Sequence, residues 1–294
     1  MKALTLGQPM RAAALAAAAM FFFAMMSVLI RQATLELHTF EVVFFRNSFA
    51  LLIMLPWLTR HGIGALRTER LGLYLLRAGI GIVGMTASFW ALTLIPLAQA
   101  TALSFTAPLF ATAGAALVLG ELVRIRRWSA VIVGFVGTLV VIRPGLESLS
   151  PGALLSLAGA LHIAVSTLIV KSLTRTERAE TVVVYMVLLQ SPLALLPALF
   201  VWQMPSAAGF LWLFLLAATG TLGHICFTRA YALAEVTQLQ PLEFIRLPLV
   251  ALFGFLFFAQ VPTLWTWVGG AIIFAATAYI THREARLARA ARAS

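Results

Sequence analysis

The ionisable residues that sit inside long apolar runs, where charge is costly, include Glu41, Arg46, Arg77, His162, His224, Glu243 and Arg246. A charge at the centre of a bilayer costs about 2.5–3.5 kcal/mol on insertion scales, so each is a candidate site residue. Guanidinium groups grip carboxylates and phosphates with two prongs, which makes Arg46 and Arg77 candidate substrate clamps. Arg46 has no acidic residue three or four positions away. Either it finds a partner on another helix or it faces a cavity. Arg77 has the alternative of snorkelling toward the nearer surface. Glu243 and Arg246, three apart, share a face of a continuous helix. They either line a cavity or form an internal ion pair that fixes their helix. His162 and His224 can change charge near neutral pH, so with Glu41 and Glu243 they are candidates to carry a coupling proton. Each histidine also reads as a hydrogen-bonded packing residue. Gln99, Ser104 and Gln238, together with Trp90, Phe105, Tyr231 and Phe244, could form an aromatic, hydrogen-bonding pocket for a flat or amphipathic solute.

The elements that must position these groups are membrane helices. The chain has 294 residues, is 62% hydrophobic and only 11% charged, and has a mean hydropathy of +0.98. This composition belongs to multi-spanning membrane proteins and excludes a conventional soluble core. A span needs about 20 apolar residues. Ten runs qualify, at about 10–31, 38–58, 71–93, 97–119, 128–143, 151–171, 181–201, 208–231, 237–258 and 264–281. The first is a span rather than a secretory leader, because it is long, lacks a small-residue cleavage site and is closed by Arg31. A net charge of +11 does not imply nucleic acid, since the basic residues lie in short connections between runs. Of the 21 Lys and Arg, Arg46, Arg77, Arg229 and Arg246 lie within runs. Only Arg31 and Arg143 fall on the side opposite the N-terminus. This bias predicts both termini in the cytoplasm. The single cysteine, Cys226, excludes an intrachain disulfide, and nothing in the sequence calls for a metal or a cofactor.

The chain writes one stretch twice. Gly84, Ala91, Leu94 and Gln99 match Gly223, Ala230, Leu233 and Gln238, and after one inserted residue Pro108 matches Pro248. Arg31 likewise matches Lys171, and Trp128 matches Trp267. Pro108 and Pro248 are predicted to kink their helices, leaving the carbonyls of Ser104 and Phe244 without their usual partners. In lipid such a gap is tolerated where protein or a watery cavity covers it, and paired broken helices mark transporter binding sites. The expected fold is all-α, with ten transmembrane helices in two five-helix repeats, 1–145 and 146–282, and a basic cytoplasmic tail, 283–294. An odd number of spans per repeat inverts the second relative to the first. Gly134, Gly137, Gly269 and Gly270 read as close-packing sites within the molecule, which leaves a monomer or a homodimer open.

The stretches FFRNSFALL, LLRAG, FWALTLIPLAQATALSFTAPLFATAGAALVLGE and RRWSAVIVGFVGTLVVIRPG resemble the drug/metabolite transporter superfamily, in its ten-helix EamA-type branch. The second copy departs from that pattern, with Gln260-Val261 where the first has Gly120-Glu121. The resemblance implies a carrier of a small molecule across the inner membrane. Members export amino acids and other metabolites or take up S-adenosylmethionine or riboflavin, and the first half resembles the S-adenosylmethionine uptake subgroup. Three buried arginines against two glutamates favour a substrate with a carboxylate, such as an amino acid, with the uptake substrates or drug and amine efflux as alternatives. An intramembrane enzyme is the rival class. It lacks support, since no GxSxG, HExxH or HxxxxD motif is present and the connections are too short for a catalytic domain.

Overall fold

The computed structural model describes residues 7–107, 109–110, 125–143, 150–234, 239, 242–243 and 245–293. Ten α-helices and no strand occur among them: α1 (Gly7–Ala33), α2 (Thr39–His61), α3 (Leu71–Leu94), α4 (Leu97–Ser104), α5 (Ile125–Ile142), α6 (Pro151–Leu173), α7 (Ala179–Leu199), α8 (Ala207–Leu233), α9 (Arg246–Phe258) and α10 (Leu264–Ala293). Six of them, α1, α2, α3, α6, α7 and α8, are long and apolar enough to cross a membrane, and shorter apolar helices cover 129–142, 246–258 and 264–276.

Local chemistry explains the helix starts. Ser150 precedes Pro151, and its Oγ accepts the Ala153 N–H at 3.2 Å, a serine cap with proline in the first turn. Ser206 does the same for α8, accepting from Gly209 N at 3.0 Å. At α2 the cap is a histidine: His38 Nδ1 accepts from Phe40 N, while Glu41 Oε2 accepts from His38 N at 3.1 Å. Leu52, Val83, Leu139, Leu154, Leu168, Phe214 and Leu256 point outward from six different helices. A lipid-facing surface on every side accounts for that pattern.

The packing exchanges the two halves of the chain. Helix α1 packs on α8 and α3 packs on α6. Helix α2 packs on α7, α4 on α9 and α5 on α10. Each contact therefore has a mate in which first-half and second-half helices trade places. Glycines at matching positions allow close approaches. A Cβ on Gly84 would lie 2.1 Å from His162 Cβ, and one on Gly223 would lie 2.7 Å from Phe23 Cε1. Small residues let helix backbones approach this closely in membranes, where packing rather than the hydrophobic effect drives association.

Three expected boundaries change. The run 97–119 does not begin with a long helix: α4 ends at Ser104, and Phe105 and Thr106 form a turn. The run 237–258 does not give one helix either, because Ile245 is a turn residue and α9 starts at Arg246. Pro248 therefore sits in the first turn of α9, where its missing N–H has no intrahelical acceptor to lose. Pro108 lies outside the described residues. Finally, α10 runs on through the basic tail to Ala293 instead of stopping near residue 281.

Candidate functional site

A cavity of about 250 Å³ lies between the halves, lined by residues of α1, α2, α3, α4, α6, α7, α8 and α9 and by Glu243. Its volume is just below the range of about 300–1,000 Å³ usual for small-molecule sites. Its wall is mostly apolar, with a few buried polar groups.

Helices α2 and α3 supply two of these groups. Arg46 is 1% exposed and donates from Nη1 to Asn47 Oδ1 at 3.0 Å, while its Nε–H has no partner. Arg77 is 4% exposed and donates to Val182 O at 3.2 Å and to Met186 Sδ at 3.3 Å. Its Nε–H is also unsatisfied. The expected escape of Arg77 toward a surface does not occur, because the guanidinium turns inward against α7. The second half adds His162, Gln190 and His224 to the same wall. His162 Nδ1 and Gln190 Oε1 have no hydrogen-bond partner.

The other end of the cavity holds Tyr231, Glu243 and Arg246. Glu243 Oε1 accepts from the Tyr231 hydroxyl at 2.5 Å, and Arg246 Nη2 donates to Ser27 Oγ at 3.2 Å. Of the two readings open for Glu243 and Arg246, the internal ion pair does not form, and both residues line the cavity. The chain turns at Ile245, so the two residues do not share one continuous helical face. Among the described residues, the ion pair is Arg229 with Glu180. Aromatic rings connect the two ends. Phe23 meets His224 edge to face at 5.1 Å and Phe227 at 6.0 Å, and Phe227 meets Tyr231 at 4.4 Å.

The EamA-like transporter family model matches residues 10–143 and 150–282, which is nearly the whole chain. The chain belongs to the EamA-like transporter family. It is a multi-pass membrane transporter of the drug/metabolite type. The EamA chain is 36% identical over 273 residues to a riboflavin transporter of Vibrio cholerae, covering 91% of each. It is 35% identical over 277 residues to a riboflavin transporter of Rhizobium johnstonii, covering 91% of this chain and 89% of that one. To an S-adenosylmethionine uptake transporter of Rickettsia felis it is 30% identical over 249 residues, covering 85% of each. A crystal structure matches the fold with a TM-score of 0.66 at 18% identity, over 94% of this chain and 98% of that one. At that identity the likeness speaks for the fold alone.

Within the EamA cavity the structure gathers Arg46, Arg77, Ser104, His162, His224, Glu243 and Arg246, all singled out from sequence. Three other candidates lie elsewhere. Trp90 is 38% exposed and packs edge-on against His38 and Phe40 at 5.8 and 6.0 Å. Gln99 is half-buried on α4 and is not among the lining residues. Glu41 spends both carboxylate oxygens on backbone amides, one of His38 and one of Gln203. Gln238 lies outside the described residues. Sequence reasoning missed Gln190 and Ser156, which are buried polar residues of the wall. The available signal was a polar residue in an otherwise apolar run, weak for Ser156 and stronger for Gln190.

Proposed function

We propose that this EamA transporter carries a flat heteroaromatic metabolite of the riboflavin kind across the inner membrane. The relatives' activities, riboflavin transport and S-adenosylmethionine uptake, match the alternative expected from sequence rather than an amino acid. The observation that carries the reading is the run of rings His224, Phe23, Phe227 and Tyr231 along one wall of the cavity, with Phe89 and Phe105 also in its lining. A flat ring system stacks on such a wall, and the polar edge of a flavin, rich in carbonyl and ring-nitrogen acceptors, meets the N–H donors of Arg46, Arg77 and Gln190. The transport cycle is alternating access between two five-helix halves, 1–145 and 146–282, of inverted topology. Both termini are cytoplasmic, and the tail 283–294 lies against the anionic inner leaflet.

Riboflavin fluorescence gives the test. Saturable quenching is expected with purified protein, together with riboflavin uptake by cells that express it. Phe227→Ala and Tyr231→Ala should each weaken binding by about two- to tenfold, since an aromatic contact contributes about 0.5–1.5 kcal/mol beyond its area. Absence of saturable quenching, with thermal stabilisation by S-adenosylmethionine or an amino acid instead, would sink the flavin assignment.

A further inference from the structure

Among the described residues, two guanidinium groups and no carboxylate line the Arg46–Arg77 end of the cavity. Gly81, one turn beyond Arg77, has Gln190 Nε2 and His162 Nε2 beside it, at 2.1 and 3.7 Å from where its Cβ would stand. Gly220, one turn before His224, has Arg46 Nη2 at 3.1 Å from its Cβ position. Arg46, Arg77, His162, Gln190 and His224 thus converge from α2, α3, α6, α7 and α8 on one end of the chamber. Among the described residues, every hydrogen bond that the two guanidiniums make goes to a neutral atom: Asn47 Oδ1, Val182 O and Met186 Sδ. Neither Glu41 nor Glu243 pairs with Arg46 or Arg77. Glu41 caps α2 and holds Gln203, and Glu243 holds Tyr231. Two buried charges of one sign, each with an unsatisfied N–H, call for a counter-charge, and none of the described residues supplies it.

We propose that this end of the cavity binds an anionic group, a carboxylate or phosphate, gripped by Arg46 and Arg77 with Gln190 and His162 as further hydrogen-bonding groups. A guanidinium fork suits either oxyanion. The group comes either from the transported molecule itself or from an inorganic ion bound beside it. The proposal rests on the cavity being the transport site, and it does not require that the substrate be a flavin.

The experiment has two arms, both on the full-length protein in non-ionic detergent. In the first, no flavin is present, and the melting temperature is read against inorganic phosphate, with chloride keeping the ionic strength constant. A saturable rise is expected, lost in Arg46→Gln and Arg77→Gln but kept in Arg229→Gln, which removes an exposed arginine outside the cavity. Arg46→Lys, which retains charge without the fork, should weaken the apparent affinity about tenfold and serves where the glutamine variant does not fold. In the second arm, quenching compares riboflavin with its 5′-phosphate. If the anionic group belongs to the transported molecule, the phosphate ester binds about tenfold tighter than riboflavin, and Arg46→Gln abolishes the preference. If an inorganic ion binds alongside, riboflavin itself binds about tenfold tighter when phosphate is added. Either result supports the site and names its source. The proposal is overturned if neither arm shows an anion effect, or if the effect survives in the Arg46 and Arg77 variants, even where riboflavin binds. An anion effect without any flavin binding would leave the site standing and remove the flavin.

Discussion

Arg31 and Lys171 occupy equivalent places in the two halves, 140 residues apart, and do equivalent work. Arg31, at the end of α1, donates to Ile95 O at 3.2 Å, just past the C-terminus of α3. Lys171, near the end of α6, donates to Tyr231 O at 2.8 Å and Ala234 O at 2.9 Å, at the C-terminus of α8. In both halves a cation satisfies the orphan carbonyls of a helix end. The glycines repeat as well, with Gly81 and Gly84 on α3 answered by Gly220 and Gly223 on α8. What the glycines face does not repeat. Those of α3 meet Gln190 and His162, whereas those of α8 meet Arg46, Met26 and Phe23. At the position of Arg46, the second half carries Met186. The broken helices diverge further. In the first copy Thr101, Ser104 and Thr106 turn their hydroxyls back to carbonyls of Leu97, Thr101 and Leu103 at 2.7–2.8 Å. The matching positions in the second copy are Pro241, Phe244 and Arg246. Symmetry is kept where backbones must pack and abandoned where side chains meet the cavity. A chamber built this way presents a different chemistry at each end.

The largest effect expected from breaking this pattern is at the shared glycines. Gly84→Ala pushes a methyl group against the Cβ and Cγ of His162, atoms that cannot swing away. Gly223→Ala meets a phenylalanine ring edge at 2.7 Å, and Gly81→Ala crowds the far end of Gln190, with His162 Nε2 at ordinary contact distance. Overpacking of this kind costs about 1–3 kcal/mol, so melting temperature should fall most for Gly84→Ala, less for Gly223→Ala and least for Gly81→Ala. Equal losses at Gly84 and Gly81 would mean that α3 and α6 are not packed as closely as the structure places them.

The helix-end cations come next. Lys171→Met removes two charge-assisted hydrogen bonds at a partly exposed position, where water takes over much of the lost bonding and holds the cost to about 1 kcal/mol. Arg31→Met removes one, along with a contact over the Phe258 ring at 5.6 Å. Thermal denaturation should show the larger loss for Lys171→Met. The reverse order would show that the two caps are alike in place but not in weight.

Much of this organisation is legible in the sequence, because membrane burial makes charge expensive and therefore conspicuous. Arg46, Arg77, His162, His224, Glu243 and Arg246 stand out against apolar runs, and all six line the cavity. Proline marked the neighbourhood of both helix breaks. Three things stayed hidden for physical reasons. Glu41 looks like a buried acid in search of a proton, but it sits three residues after His38, an unusual capping residue that masks the capping pattern. Glu243 and Arg246 pair only if one helix runs through both, and sequence does not say that the chain turns at Ile245. Gln190 belongs to the wall because α7 packs against α3 beside Gly81, a contact between residues more than a hundred positions apart.

The smallest effect is the one that sharpens the contrast between the two broken helices. Thr106 and Arg246 hold matching positions. Thr106 is fully buried, does not line the cavity, and donates its hydroxyl to Leu103 O at 2.7 Å. Leu103 O also accepts the Thr106 N–H at 3.1 Å, so it keeps a partner when the hydroxyl is removed. Thr106→Val should therefore cost no more than a net hydrogen bond, about 0.5–1.5 kcal/mol, and leave riboflavin affinity unchanged. Arg246→Met removes a cation from the cavity wall and frees Ser27 Oγ, so it should change affinity while altering stability little more than its mate. Quenching titrations of the two variants decide the matter. If Thr106→Val weakens binding as much as Arg246→Met, the first-half break acts on substrate through its backbone, and the asymmetry argued from the side chains is the wrong description of the chamber.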